Sequence, residues 1–180
     1  MQAKELIETR RSIRRFKDTP VTPELLRQVV DLASNAPSWK NTQTAAYIAV
    51  TDTAVKTKIA ENATMAFSKN KDNINGAPAL IVLTTRDGVS GYEPDGKAST
   101  SKGEHWQSFD AGIASQTFCL SAHEYGLGTV ILGIYQEDKV KEILGLPEDI
   151  KVSALIPIGF PDEQPNKRPR KSADELLRIV

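Results

Sequence analysis

The chain lacks most of what a small protein needs to build catalysis from its own side chains. Cys119 is its only cysteine, and His105 and His123 are its only histidines, among 180 residues. One cysteine excludes an internal disulfide and suits a reducing compartment. The two histidines lie on different predicted elements. Cys119 and His123 share a helical i, i+4 spacing, but two ligands do not make a zinc site, so no metal is expected. No serine sits in a tight glycine-flanked turn and Cys119 falls inside a helical pattern, which leaves Ser-His-Asp and Cys-His hydrolysis without support. Cys119 reads as a small buried side chain. His123 reads as a helix-end histidine meeting the dipole.

Net charge is also lacking: 23 basic residues balance 23 acidic ones. That balance argues against wholesale binding to nucleic acid or an anionic membrane. No apolar run approaches the roughly 20 residues of a membrane helix. Residues 1–5 open an amphipathic pattern rather than a signal core. A soluble, cytoplasmic protein is expected. The glycines offer no phosphate loop either. Such a loop follows a strand and opens a helix, so that amides face the anion. Gly126-Leu127-Gly128, with Gly133 beyond, instead closes a helix and feeds a strand. A helix C-terminus presents carbonyls, which repel phosphate.

What is present is ordinary globular material, 39% apolar and 26% charged. A chain of this length can bury roughly 70% of its unfolded surface, so 1–180 is read as one domain. A short helix over 2–10 leads into a basic stretch. Thr22-Pro23-Glu24 caps a second helix that ends near Asn35, before Pro37. A polar loop, 36–43, carries an exposed-looking Trp39. Strands are predicted over 45–50, 79–84, 129–135 and 152–158, and the apolar run 79–84 fits a strand buried on both faces. Further helices are predicted over 54–67, 107–125 and 137–144, with Ser172 capping a final turn. The helix 107–125 is apolar nearly all round, hence buried. Its small residues allow a close neighbour, within the domain or across a dimer. Segment 68–76 is polar and reads as loop. Segment 86–106 has the least apolar content and reads as a variable loop or lid. The sum is an α+β domain with a mixed sheet of four or five strands flanked by helices.

Charge is nevertheless concentrated. Arg10-Arg11-Ser12-Ile13-Arg14-Arg15-Phe16-Lys17 and Lys167-Arg168-Pro169-Arg170-Lys171 hold nine of the 23 basic residues. Guanidinium forks match phosphate oxygens and Ser12 adds a hydroxyl, so the two ends could converge on one phosphate. A solvated basic face is the alternative from composition alone.

Several motifs, taken in order, resemble the FMN-dependent nitroreductase family. They are Arg10 to Arg14, Pro37-Ser38-Trp39-Lys40-Asn41-Thr42-Gln43, Asp110 to Gln116, Gly126 to Thr129, Ile158-Gly159-Phe160-Pro161 and Arg168-Pro169-Arg170. The resemblance implies a homodimer with FMN at each of two subunit-interface sites. By position, Arg10, Arg11, Ser12 and Arg14 bind the phosphate and ribityl side, joined by Arg168 and Arg170. Pro37, Ser38, Trp39 and Asn41 come from the other subunit and line the flavin ring. Asn70 hydrogen-bonds the ring, and Leu132 and Gly133 supply a backbone contact. Two departures bear on the substrate pocket: Trp39 stands where the family often has a second serine, and Thr44-Ala45 where it has a proline-aromatic pair.

The function so implied is reduction of a nitroaromatic, quinone or similar acceptor by NADH or NADPH in ping-pong fashion. The flavin carries the redox chemistry and no catalytic side chain is assigned. Two alternatives stand beside it. One is a specialised flavoenzyme of the same fold that dehydrogenates, dehalogenates or degrades flavin. The other is a basic module binding nucleic acid or another anion, which predicts steep salt dependence and no chromophore.

Overall fold

The apolar run that begins at Ala79 becomes β2 (Ala79–Arg86), buried along its length except for Arg86. In the computed structural model, which describes residues 2–180, β2 pairs with β1 (Ala45–Val50) on one side and β4 (Ile150–Gly159) on the other. β4 in turn pairs with β3 (Gly128–Thr129), giving the order β1-β2-β4-β3. All three ladders are antiparallel. The parallel component of the expected mixed sheet is confined to a single bridge, Ser12 to Thr129.

Strand side chains alternate between faces, and each face of β2 carries its own core. Ala79, Ile81 and Leu83 pack with Leu26 and Val29 of α2 (Pro23–Ala33) and with Phe118, Cys119 and Ala122 of α5 (His105–Glu124). Leu80 and Val82 pack with Ile59 and Ala63 of α3 (Thr53–Ala63), Ile74 of α4 (Ser68–Asn75) and Val140 of α6 (Glu137–Leu144). Helices therefore cover both faces of the sheet. The first helix, α1 (Ala3–Thr9), and the last, α7 (Ala173–Leu176), bury no residue. Thr22 caps α2 by accepting from the Leu25 amide, and Ser172 closes a capping box with Glu175.

Four predicted elements differ from what forms. Segment 68–76 is the helix α4, not a loop: Ile74 enters the core, the Asn70 Nδ2 donates to the Ile134 carbonyl at 3.0 Å, and Lys71 pairs with Glu61 at 2.7 Å. Tertiary contacts override its polar composition. The helix before it stops at Ala63, because Met65 and Ala66 adopt left-handed φ of 55° and 59°. The strand predicted over 129–135 is regular only to Thr129. The chain continues beside β4, with the Val130 amide donating to the Pro157 carbonyl at 3.4 Å and Leu132 and Leu155 bonded both ways. Pro157 has no N–H to return, so the ladder breaks there. Helix α5 is buried on one side only; Phe109, Gly112 and Gln116 are exposed on the other.

Segment 87–104 contains no helix or strand, yet it is folded on itself. Tyr92 bridges Ala98, the Glu93 amide donates to the Lys97 carbonyl at 2.8 Å, and the Ser99 amide to that of Gly91 at 2.8 Å. Gly91 (φ +88°) lies so close to the Gly103 carbonyl that a Cβ would sit 2.4 Å from it.

Candidate functional site

The basic stretch after α1 is fastened along the β3 edge of the sheet. The Ile13 amide donates to the Thr129 carbonyl and the Lys17 amide to that of Phe160, each at 2.9 Å. Ile13 and Phe16 are buried and anchor the segment. Gly128 makes this approach possible, since a Cβ there would lie 2.6 Å from the Ile13 Cγ1. The Glu163 Oε1 accepts from the amides of Arg14 and Arg15 at 2.5 and 3.2 Å, and Oε2 pairs with the Arg15 guanidinium at 3.4 Å. Burial alone would raise the Glu163 carboxyl; the two amides and Arg15 outweigh it and hold the group below the usual carboxylate range.

So placed, Arg10, Arg11, Ser12 and Arg14 line an open cavity of about 1380 Å³. Asn70 lines it from α4, Leu132 and Gly133 from beyond β3, and Arg168 and Arg170 from the C-terminal segment. The two basic clusters from opposite ends of the sequence thus meet at one cavity, whereas Arg15 and Lys17 do not line it. Among the described residues, no ion pair is recorded for Arg10, Arg11, Arg14, Arg168 or Arg170. Arg11 bonds only carbonyls, of Glu8 at 2.8 Å and Arg10 at 2.9 Å, and Arg170 does likewise. Glu8 and Asp72 also line the cavity but pair with none of these arginines, so the gathered like charges repel and a bound anion relieves that repulsion. The Asn70 Nδ2 is committed to Ile134, which leaves its Oδ1 for a ligand.

The remaining four expected residues lie elsewhere in the chain. Pro37 and Ser38 line a second cavity of about 330 Å³ with Tyr47 and Asp110, and Trp39 and Asn41 line neither. Their loop is constrained: Lys40, Asn41 and Gln43 hold φ of 43°, 56° and 49°, a region non-glycine residues seldom adopt. The Ser38 Oγ closes it by accepting from the Gln43 amide at 2.9 Å. Trp39 is not an exposed tryptophan. Its ring lies 4.5 Å from that of Trp106, which meets Phe109 edge-on at 5.5 Å. The Trp39 Nε1 and the hydroxyls of Thr42 and Thr44 are buried without a hydrogen-bond partner.

His123 stands in the last turn of α5, the helix-end position expected of it. Burial, then the charges of Arg10 and Arg11, push its pKa below the ordinary histidine value, and Nε2 sits 2.8 Å from the Thr9 Oγ1. Cys119 is buried, which pushes its thiol pKa up. No group of three or more His, Cys, Asp or Glu that could hold a metal occurs among the described residues. None of their helices is long and apolar enough to cross a membrane.

Sequence reasoning passed over several lining residues. Lys69 and Asn73 flank Asn70 on α4 and face the same cavity, as does Gln116 of α5. Recognising 68–75 as a helix would have exposed the 69/70/73 spacing. Glu163 carried no signal at all, because its role depends on a contact across the fold.

The profile of the Nitroreductase family matches residues 7–72 and 62–160. A protein of Methanothermobacter thermautotrophicus described as a putative NADH dehydrogenase/NAD(P)H nitroreductase is 30% identical over 98% of this chain and 86% of its own length. A Bacillus subtilis protein described as FMN reductase (NAD(P)H) is 32% identical over 89% of this chain and 66% of its own. The crystal structure of a nitroreductase family protein from Clostridium novyi NT superposes with a TM-score of 0.77 at 30% identity, covering 93% of this chain and 89% of that one. With a family profile along most of its length and an archaeal relative along nearly all of it, the chain belongs to the nitroreductase family.

Proposed function

We propose that the chain is an FMN-dependent oxidoreductase of the cytoplasm that oxidises NADH or NADPH and reduces a nitroaromatic, quinone or similar small acceptor. One observation carries this reading: five arginines that form no ion pair among the described residues, from both ends of the chain, gather at one large cavity together with Asn70, Leu132 and Gly133. A flavin mononucleotide fits that division. Arg10, Arg11, Ser12, Arg14, Arg168 and Arg170 would hold its phosphate and ribityl side, and Asn70, Leu132 and Gly133 its ring. The cavity exceeds the roughly 300–1,000 Å³ of a usual small-ligand pocket, which suits a cofactor plus one substrate at a time. When bound, FMN supplies the two-electron chemistry at N5, and the protein positions, shields and electrostatically tunes it. The nicotinamide and the acceptor would occupy the same place in turn, and solvent supplies the protons. The flat rings of Trp39, Trp106 and Phe109 suit planar acceptors.

The functional unit in this reading is a homodimer, with Pro37, Ser38, Trp39 and Asn41 reaching the ring bound to the other subunit. Support comes from apolar surface that one chain leaves uncovered. The α5 face with Phe109 (54% exposed) and Gly112 is open, as are Ile131, Ile134 and the terminal Leu176, Leu177, Ile179 and Val180.

Purified protein should be yellow with one FMN per subunit; a colourless protein that takes up no added FMN sinks the reading. Replacing Arg10 and Arg168 together by Ala should release FMN from a folded protein. Full retention of the cofactor would refute the shared phosphate site. Double-reciprocal plots with a nitroaromatic should be parallel, as substituted-enzyme kinetics require.

A further inference from the structure

The loop 36–43 and segment 87–104 meet at one buried carboxylate. Asp110, in α5 and only 3% exposed, accepts the Trp39 amide with both oxygens, at 3.1 and 2.9 Å. Its Oδ2 also accepts from the Ser90 Oγ at 2.6 Å, and Ser90 is fully buried. One outer tie joins the same pair of segments: the Lys40 Nζ lies 2.7 and 2.9 Å from the Glu93 oxygens. The Trp39 ring lies tilted against that of Trp106, in the first turn of α5. Within 86–106, Glu93 accepts from the Ser99 Oγ at 2.6 Å and the Trp106 Nε1 donates to Thr100 at 2.9 Å. The segment therefore moves as a piece, and leaving the loop means breaking both the Ser90–Asp110 and the Lys40–Glu93 ties.

The ties are unequal. Lys40–Glu93 is an exposed pair, and such pairs contribute little. The bonds to Asp110 are charge-assisted and buried, and a carboxylate left without its donors in the interior is costly. The same carboxylate restrains the start of a loop with three left-handed residues, a conformation that persists only under outside constraint.

We propose that Asp110 is a positioning residue shared by both segments, and that through Ser90 it clamps 87–104 onto the loop 36–43 before any acceptor arrives. The acceptor side is then a preformed wall of Trp39, Trp106 and Phe109, and acceptor selectivity comes from its fixed shape. The kinetic consequences rest on the flavoenzyme reading above; the clamp itself does not.

Ser90→Ala cuts only the tie to 87–104. Trp39 and Trp106 are the chain's only tryptophans, and Trp106 is bonded to Thr100 of the segment, so their exciton couplet in circular dichroism senses loosening of the segment without reference to flavin. Ser90→Ala should diminish that couplet and speed trypsin cleavage at Lys97 and Lys102 by about tenfold or more, the scale set by one charge-assisted bond. Asp110→Asn keeps an acceptor for Trp39 and a donor for Ser90 but loses the charge, so both readouts should fall between those of the parent and of Ser90→Ala. In the flavin-loaded enzyme, Ser90→Ala should raise the acceptor KM severalfold while FMN affinity stays unchanged. An unaltered couplet and cleavage rate in Ser90→Ala would overturn the clamp. A loosened segment with an unchanged acceptor KM would overturn its role in selectivity, and parallel losses in FMN affinity and acceptor KM would reduce it to a structural contact. If the parent binds no FMN, the flavoenzyme reading fails, while the couplet and proteolysis still decide the clamp.

Discussion

At the scale of single residues, Glu163 fixes the backbone of Arg14 and Arg15 while leaving the Arg14 guanidinium to the cavity. Glu163→Ala should lower the unfolding free energy by about 1.5–3 kcal/mol, the range for hydrogen bonds to a charged group, and weaken FMN binding, both measurable by urea titration and flavin fluorescence. Because its folded pKa is depressed, its contribution is present above the unfolded carboxylate value, about 4.3, and lost as the pH falls through the folded one. His123 adds a second limb of the same sign. Its folded form resists protonation, so stability begins to fall below about pH 6.5, and His123→Gln should remove that first limb. Gly128→Ala tests the close approach of Ile13: forcing a methyl into that contact should cost about 1–3 kcal/mol and displace the arginines above it. The basic residues themselves were legible because five charges in eight positions are rare. Which of them face the cavity was not, since that depends on Ile13 and Phe16 taking the buried positions.

Among the elements, β2 and α6 form where pattern alone places them, because each is bounded by clear signals and has one consistent burial period. Helix α4 was illegible for the opposite reason. Its sequence, Ser-Lys-Asn-Lys-Asp-Asn-Ile-Asn, contains a single strong apolar residue and owes its shape to what surrounds it. Ile74→Ala should therefore cost about 2–5 kcal/mol and, by loosening the helix that carries Lys69 and Asn70, weaken flavin binding beyond the loss of stability; calorimetry with and without FMN separates the two. The strand after Thr129 was half legible. The alternation of Val130 and Leu132 is real, but a proline on the facing strand interrupts the ladder between Thr129 and Leu132, and no local pattern shows which strand will face it.

For the molecule as a whole, the exposed side of α5 is the place to test assembly. A side chain at Gly112 meets nothing within 4 Å in a single chain, so Gly112→Glu should leave the subunit folded. If that face joins two subunits, the variant should elute as a monomer in size-exclusion chromatography with light scattering and lose most of its FMN. A dimer of unchanged stability would place the interface elsewhere. The sequence hinted at this face through its small residues but could not orient it: only the sheet decides which side of the helix is covered.

The bridge from Ser12 to Thr129 has one more consequence. An outer strand with unpaired amides and carbonyls is a template for joining other chains. Here the chain's own charged segment occupies that margin beside β3. Weakening Glu163, by substitution or by acid, should therefore do more than empty the flavin site. It should uncover the edge of the sheet, so that light scattering rises as flavin leaves and loss of cofactor becomes the first step of self-association.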